Sequence, residues 1–180
     1  LETIFYMLSG MVDTLMLSSV GDQAVGAVGT ANTYIGVFII MYSVVSMGML
    51  AVMTQNIGAG RPGIACQAKT LGLWFNGILG VVMSVFLFFC SDGILYVVGI
   101  APALKEPAVQ YLRIVGGGSI LNAMIPILAG YLRAFGYTKQ PLIATVTGNI
   151  LNFILNAVFL FHFHLGVQGV ASATAVSYTH

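Results

Sequence analysis

Apolar residues run almost unbroken along this chain, and polar residues gather at five short interruptions. The first run is Leu1–Ser19, closed by the turn-like Val20-Gly21-Asp22-Gln23. A second spans about Val28–Ile57 and stops at Gly58-Ala59-Gly60-Arg61-Pro62-Gly63. The third is about Ala68–Cys90, after which Ser91-Asp92-Gly93 suits a short interfacial turn, and Pro102 and Pro107 break the chain again. A fourth covers about Ala108–Phe135, a fifth about Pro141–Phe161, and a sixth begins near Val167. Each full run is about 20 residues or more, enough helix to cross a hydrocarbon core of roughly 30 Å. The pattern predicts an all-α integral membrane protein, a six-helix bundle with helices at about 1–19, 28–57, 68–90, 108–135, 141–161 and 167–180. Pro126 removes a backbone hydrogen bond and is expected to kink the fourth helix.

Composition supports the membrane reading. Only 6% of the 180 residues are charged, 58% are hydrophobic, and the mean hydropathy is +0.98. A soluble domain carries roughly 25% charged residues, so this chain could not cover a water-facing surface. The net charge of +1 comes without a basic patch, which excludes nucleic acid as a partner. Cys66 and Cys90 fall at opposite ends of one predicted helix, so they cannot pair, and no zinc-type spacing occurs.

Loop charge gives an orientation. Arg61 and Lys69 lie between the second and third helices, and Arg133 and Lys139 between the fourth and fifth, with no acid beside them. The opposite connections carry Asp22, Asp92 and Glu106 beside only Lys105 and Arg113. Positive loops face the cytoplasm, which places the N-terminus inside a cell (inner) membrane. Both ends look cut: no Met or polar head precedes the first run. The sixth helix has only about 14 residues, roughly 21 Å. The expectation is one lobe of something longer.

Asp13 is the most informative residue. It lies well inside the first run, and a carboxylate at membrane depth costs about 2.5–3.5 kcal/mol on insertion scales. Such a group is usually neutralised by a proton, a cation or a partner. At 100° per residue, Glu2, Tyr6, Ser9 and Asp13 share an arc of roughly 60°. Thr145, Asn149, Asn152 and Asn156 share an equally narrow arc on the fifth helix. Two polar stripes on apolar helices either face each other or face a watery cavity. Interhelical hydrogen bonds alone would contribute roughly 0.6 kcal/mol each, but an acid is a poor choice for structural glue.

Other features carry less. His162-Phe163-His164 does not make a metal site, because alternate residues on a helix point to different faces. Nine methionines suit either a plastic pocket, with Met7 and Met124 as candidates, or ordinary helix filler. Gly116-Gly117-Gly118 is no phosphate loop, since no Lys-Ser or Lys-Thr follows. It interrupts a membrane helix, and close helix packing explains it better. No Ser-His-Asp or Cys-His arrangement is legible, so no enzyme is expected, nor any cofactor beyond a coupling ion.

Several blocks together resemble one family. Met11-Val12-Asp13-Thr14-Leu15-Met16, then Gly21 and Ala24-Val25-Gly26-Ala27-Val28-Gly29, resembles the opening of MATE (multidrug and toxic compound extrusion) transporters. Gln55-Asn56-Ile57-Gly58-Ala59-Gly60-Arg61 is similar to the family signature after its second helix. Leu132-Arg133-Ala134-Phe135-Gly136-Tyr137-Thr138-Lys139-Gln140-Pro141 resembles its loop between helices four and five. Gly148-Asn149-Ile150-Leu151-Asn152 and Leu165-Gly166-Val167-Gln168-Gly169-Val170-Ala171 extend the match. There are departures. Family members usually show Leu-Arg-Gly and an acid before the Thr, where this chain has Ala134 and Tyr137. Some carry Asp where Asn156 stands.

The resemblance implies a twelve-helix antiporter of two six-helix lobes, with this chain as the N-terminal lobe. Such proteins export amphipathic, often cationic organic compounds in exchange for sodium ions or protons. By the same resemblance, Asp13, Asn152, Asn156 and Thr174 occupy the cation-binding positions. A hard cation wants oxygen ligands, and these offer a carboxylate, two amide oxygens and a hydroxyl. A proton would need only Asp13. If one cation bridges the four, neighbouring ligand oxygens should lie within roughly 5 Å, about twice a hard-cation contact. Without the cation, Asp13 is expected to hydrogen-bond an asparagine. Tyr6, Met7, Ser9, Asn122, Met124 and Asn149 are candidates to line a substrate cavity. The expected partners are small organic cations or drugs, the bilayer and a C-terminal lobe. Two rival functions are a lipid-linked oligosaccharide flippase, which would favour a cationic cavity, and a non-transporting membrane subunit whose polar stripes only hold helices together.

Overall fold

In the computed structural model, Met11 and residues 13–177 are described. Among them the secondary structure is helical, without strands. Most of the expected first helix lies outside these residues, and only its end, α1 (13–18), is described. The chain continues through α2 (Asp22–Gly58), α3 (Pro62–Val98), α4 (Pro102–Gly117), α5 (Ser119–Ala134) and α6 (Lys139–Ala157). A π-helical turn (Val158–His162) and α7 (Gly166–Ser177) follow. α2 and α3 are each 37 residues, or about 55 Å of helix, so they outrun a ~30 Å core.

Local chemistry sets most ends. Gly21, with φ 142°, admits the chain to α2, and Gly60, with φ 71°, turns it after that helix. Pro62 then opens α3, where a missing N–H costs nothing. α3 opens at Pro62 rather than near Ala68, and three further boundaries depart from the hydropathy pattern. α2 starts at Asp22 rather than near Val28, because Ala24, Ala27 and Val28 are buried in the main core and Gly26 faces Leu104 of α4. α3 does not stop at Ser91-Asp92-Gly93. Ser91 is fully buried there, Arg113 Nε donates to its hydroxyl at 3.3 Å, and Asp92 pairs with Lys105 and Arg113. The helix ends instead at Gly99, in the left-handed conformation with φ 73°.

The third difference concerns the fourth run. It starts at Pro102 rather than Ala108 and forms two helices, α4 and α5, bent by 45° at Gly118. Pro126 sits inside a continuous α5, and the break falls at the glycine triplet. α4 ends there in a tight i→i−3 turn, Gly118 N–H to the Val115 carbonyl at 3.1 Å. Among the described residues three helices are long and apolar enough to cross a membrane, or four if the bent pair is counted as one span.

α3 packs on α2, α4 and α5, while α7 packs on α4 and α6. Small residues permit these approaches, as membrane helices require when lipid offers no hydrophobic contrast. On α3, Gly72, Asn76, Gly80 and Ser84 recur every four residues and form one stripe. A Cβ on Gly80 would stand 2.7 Å from Ile120 Cα, and one on Gly116 would stand 2.7 Å from Leu87 Cβ. Trp74, Phe75, Ile78 and Phe89, by contrast, are exposed on α3 and suit lipid contact.

This packing generates a test. Gly80→Ala forces the α3 and α5 backbones apart and should cost about 1–3 kcal/mol, the usual range for overpacking. Gly77→Ala adds a Cβ with nothing within 4 Å and should not destabilise. Thermal unfolding in detergent should show a lowered midpoint for Gly80→Ala alone.

Candidate functional site

Asn149, Asn152 and Asn156 are spaced by three and four residues on α6, so they rise along one helical face. Asn152 is 5% exposed and Asn156 fully buried, which demands partners for their amides. Asn156 supplies most of them. Its Nδ2 donates to Asp13 Oδ1 at 2.6 Å and to Asn152 Oδ1 at 3.1 Å. Both hydrogens of that nitrogen are thereby used, and the first bond is short, as suits a donor facing a carboxylate. The geometry fixes the orientation of the carboxamide. A flipped Asn156 would turn its oxygen toward two other oxygens.

That orientation leaves one group unmet. Asn156 Oδ1 is buried and has no hydrogen-bond partner among the described residues. A buried, unpaired carbonyl oxygen costs about 1–3 kcal/mol. It is an acceptor on the same amide that contacts the acid, and no donor among the described residues answers it. A positive charge or a proton is one chemistry that would satisfy both.

Thr174 is buried on α7, which packs against α6. Its hydroxyl donates to the Val170 carbonyl of its own helix at 2.9 Å, which leaves the oxygen lone pairs as acceptors. It makes no hydrogen bond with Asp13, Asn152 or Asn156. The structure therefore brings Asp13, Asn152 and Asn156 into contact and places Thr174 on the neighbouring helix. Asn149 is half-buried on the same α6 face and has a polar partner. Asn122 is half-buried on α5. Met124 lines an apolar groove of about 490 Å³ with Trp74, Ile78, Val81 and Ile120, and that groove contains none of the acid or asparagines. Tyr6, Met7 and Ser9 lie outside the described residues.

Two features escaped the sequence reading. One is the π-helical turn directly after Asn156, where Phe163 N–H bonds the Val158 carbonyl at 3.1 Å. It precedes a tight reversal through His164 and Gly166, both with φ 54°. α7 returns so close that a Cβ on Gly169 would lie 3.0 Å from Phe159 Cβ. Nothing in Val158–His162 signals it. The other is Asn76, fully buried in the middle of α3. It donates to the Ala123 carbonyl at 2.8 Å and the Tyr42 carbonyl at 3.3 Å. A lone amide flanked by Gly72 and Gly80 in an apolar run was the available cue.

A multi-pass bundle of apolar helices that sets a half-buried carboxylate against buried carboxamides defines a class: a membrane protein with an internal polar site. Comparison with known proteins makes this specific. The family model described as MatE matches residues 1–158. An uncharacterized transporter of Bacillus subtilis, YisQ, is 33% identical, the match covering 98% of this chain and 40% of that protein. A probable multidrug resistance protein NorM of Thermotoga maritima is 29% identical over 98% of this chain and 39% of its own length. Among solved structures, a multidrug resistance MATE family transporter in its outward-facing conformation superposes with a TM-score of 0.93. It is 24% identical and covers 99% of this chain and 40% of that one. The chain belongs to the MatE family of MATE transporters and covers their N-terminal lobe. It spans about 40% of the length of these relatives.

The hydrogen-bond pattern makes the two asparagines unequal. Asn156→Ala removes both bonds and leaves Asp13 without its amide donor, which should cost about 1.5–3 kcal/mol, as for hydrogen bonds to charged groups. Asn152→Ala removes one neutral acceptor and should cost about 0.5–1.5 kcal/mol. Unfolding midpoints of the two variants, measured in one detergent, should fall in that order.

Proposed function

We propose that this chain is the ion-coupling lobe of a secondary antiporter that exports amphipathic, often cationic organic compounds in exchange for sodium ions or protons. The observation that carries the reading is the unanswered Asn156 Oδ1 beside Asp13. Asp13, Asn156 and Asn152 offer one negative charge and neutral oxygens, which balances a single monovalent cation. Thr174 supplies a further oxygen on α7. A proton would instead sit on Asp13 alone. In this reading the arrangement serves ion and solute movement.

Coupling follows from charge. Neutralising Asp13 removes the cost of holding its charge within the bundle and so changes which conformation of the lobe is favoured. An ion shifts that equilibrium only by its differential affinity for the two states. A cationic solute competes with the ion for the same carboxylate, either directly or through helix rearrangement. Alternating access needs a second bundle to rock against this one, and the C-terminal lobe fills that role.

The test is ion-driven efflux by the full-length transporter in proteoliposomes. Asp13→Asn should cut coupled efflux of an organic cation such as ethidium by about tenfold or more, equivalent to ~1.4 kcal/mol of differential binding. Wild-type efflux from Asp13→Asn, with the same dependence on the ion gradient, would remove Asp13 from the coupling step.

The same proposal places the lobe in the cell (inner) membrane with its N-terminus cytoplasmic, on the loop charge bias. Single cysteines introduced near Arg61 or Lys139 should resist impermeant maleimides in intact cells, while cysteines near Asp22 or Glu106 should label. The reverse pattern would invert the topology.

A further inference from the structure

On α3, Lys69 and Asp92 bracket residues 70–91, which carry no charge. At 1.5 Å per residue that stretch is about 33 Å long, close to a hydrocarbon core of roughly 30 Å. The two charges therefore mark the two headgroup levels, and the residues between them lie at lipid depth. At the Asp92 end the charge is answered, by Lys105 at 3.3 Å and Arg113 at 3.1 Å. At the other end it is not. The half-buried Lys69 ammonium lies 4.6 Å from the centroid of the Tyr131 ring of α5, and no carboxylate among the described residues pairs with it. A ring face attracts a cation without neutralising it.

The apolar groove of about 490 Å³ begins beside this charge. It follows α3 from Thr70 to Val82, with Ile120 and Met124 of α5 as its other wall. That is about 18 Å of helix, roughly the hydrocarbon depth of one leaflet. Lys69, Leu73, Gly77 and Val81 are spaced by four, so the ammonium heads the row of residues that floors the groove. Gly77 deepens it, since a Cβ there would meet nothing within 4 Å. The hydroxyl of Thr70 is turned back to its own helix, donating to the Cys66 carbonyl at 3.1 Å. A slot that is apolar over one leaflet's depth and cationic at its headgroup end matches a fatty acyl chain below an anionic headgroup. A cationic solute would be repelled by Lys69, and a packed apolar helix would leave that charge unanswered. Arg61, Arg133 and Lys139 add to the positive potential of the same end without lining the groove.

We propose that the α3–α5 groove binds one anionic phospholipid, its acyl chain along Leu73, Gly77 and Val81 and its phosphate beside the Lys69 ammonium. Lys69 then sits between the Tyr131 ring and the phosphate, with its charge answered. The site is separate from Asp13 and does not depend on the coupling reading.

Trp74 lines the groove and is the only tryptophan in the chain, so it reports on what lies there. The experiment places the full-length transporter, with any other tryptophan replaced by Phe, in nanodiscs of phosphatidylcholine and phosphatidylglycerol. Bromine on an acyl chain quenches tryptophan on contact, and the two lipids are brominated in turn. At equal mole fractions, brominated phosphatidylglycerol should quench Trp74 as though bound about fivefold more tightly, the selectivity of one lysine at a membrane surface. Lys69→Gln should bring the two lipids close to equality, and Lys69→Arg should keep the preference. Lys105→Gln, at the opposite end of the bundle, should leave it unchanged. Gly77→Leu fills the groove floor and should remove the preference, leaving only quenching by the surrounding bilayer.

Equal quenching by the two lipids in the wild type overturns the site, as does a full preference in Lys69→Gln or in Gly77→Leu. Absence of quenching by either lipid would mean that the C-terminal lobe covers the groove, which also overturns it. If the single-tryptophan protein fails to fold, native mass spectrometry of the protein with its own tryptophans decides. Retention of phosphatidylglycerol over phosphatidylcholine, lost in Lys69→Gln, supports the site, and equal retention overturns it.

Discussion

A carboxylate set among membrane helices imposes the constraint on which the rest of this lobe depends. Asp13 is half-buried, so protein groups must replace part of the water that would stabilise it. Asn156 meets the need with one amide nitrogen shared between Asp13 and Asn152. The shared nitrogen fixes the carboxamide and leaves its buried oxygen unpaired among the described residues. Neutral side chains could join the same helices at lower cost, which is why the proposed reading gives Asp13 a role beyond packing. The incomplete satisfaction is tolerable if a positive charge visits. Under the proposed coupling role, that ties the geometry at Asn156 to the movement of ions.

Holding α1, α6 and α7 close enough for this chemistry places demands on the rest of the bundle. Gly169 lets α7 return against Phe159 immediately after the π-helical turn. Gly72 and Gly80 let α3 meet α5, and Gly116 lets α4 meet Leu87. Where helices approach this closely, backbone carbonyls become usable acceptors for buried side chains. Asn76 and Ser84 use three of them. Small residues and buried amides are thus complementary devices: the first permit the approach and the second fix its register.

Much of this was legible in the sequence, for reasons that differ by level. Long apolar runs fix the all-α membrane class because only helices satisfy every backbone group within one segment in lipid. Asp13 and the Asn152–Asn156 pair stood out because polar residues are rare here, and helical periodicity put the amides on one face. Helix ends were less legible, because a composition rule cannot see tertiary packing. Ser91-Asp92-Gly93 has the chemistry of a turn, yet Lys105 and Arg113, from another helix, hold it inside α3. Pro126 has the chemistry of a kink, yet the bend falls at Gly118, where Ser84 stabilises a broken end. In each case the deciding group lies far away in sequence.

The central claim is that Asp13 changes its charge or its ligand during the transport cycle. Perfusion-induced infrared difference spectroscopy on the full-length protein in lipid measures this directly. Films are cycled between sodium-free and sodium-loaded buffer, and between neutral and acidic buffer. The account predicts a difference band from a carboxyl or carboxylate group in one of the two cycles, absent from the Asp13→Asn protein. Carboxyl-region spectra identical in wild type and Asp13→Asn under both cycles would contradict it.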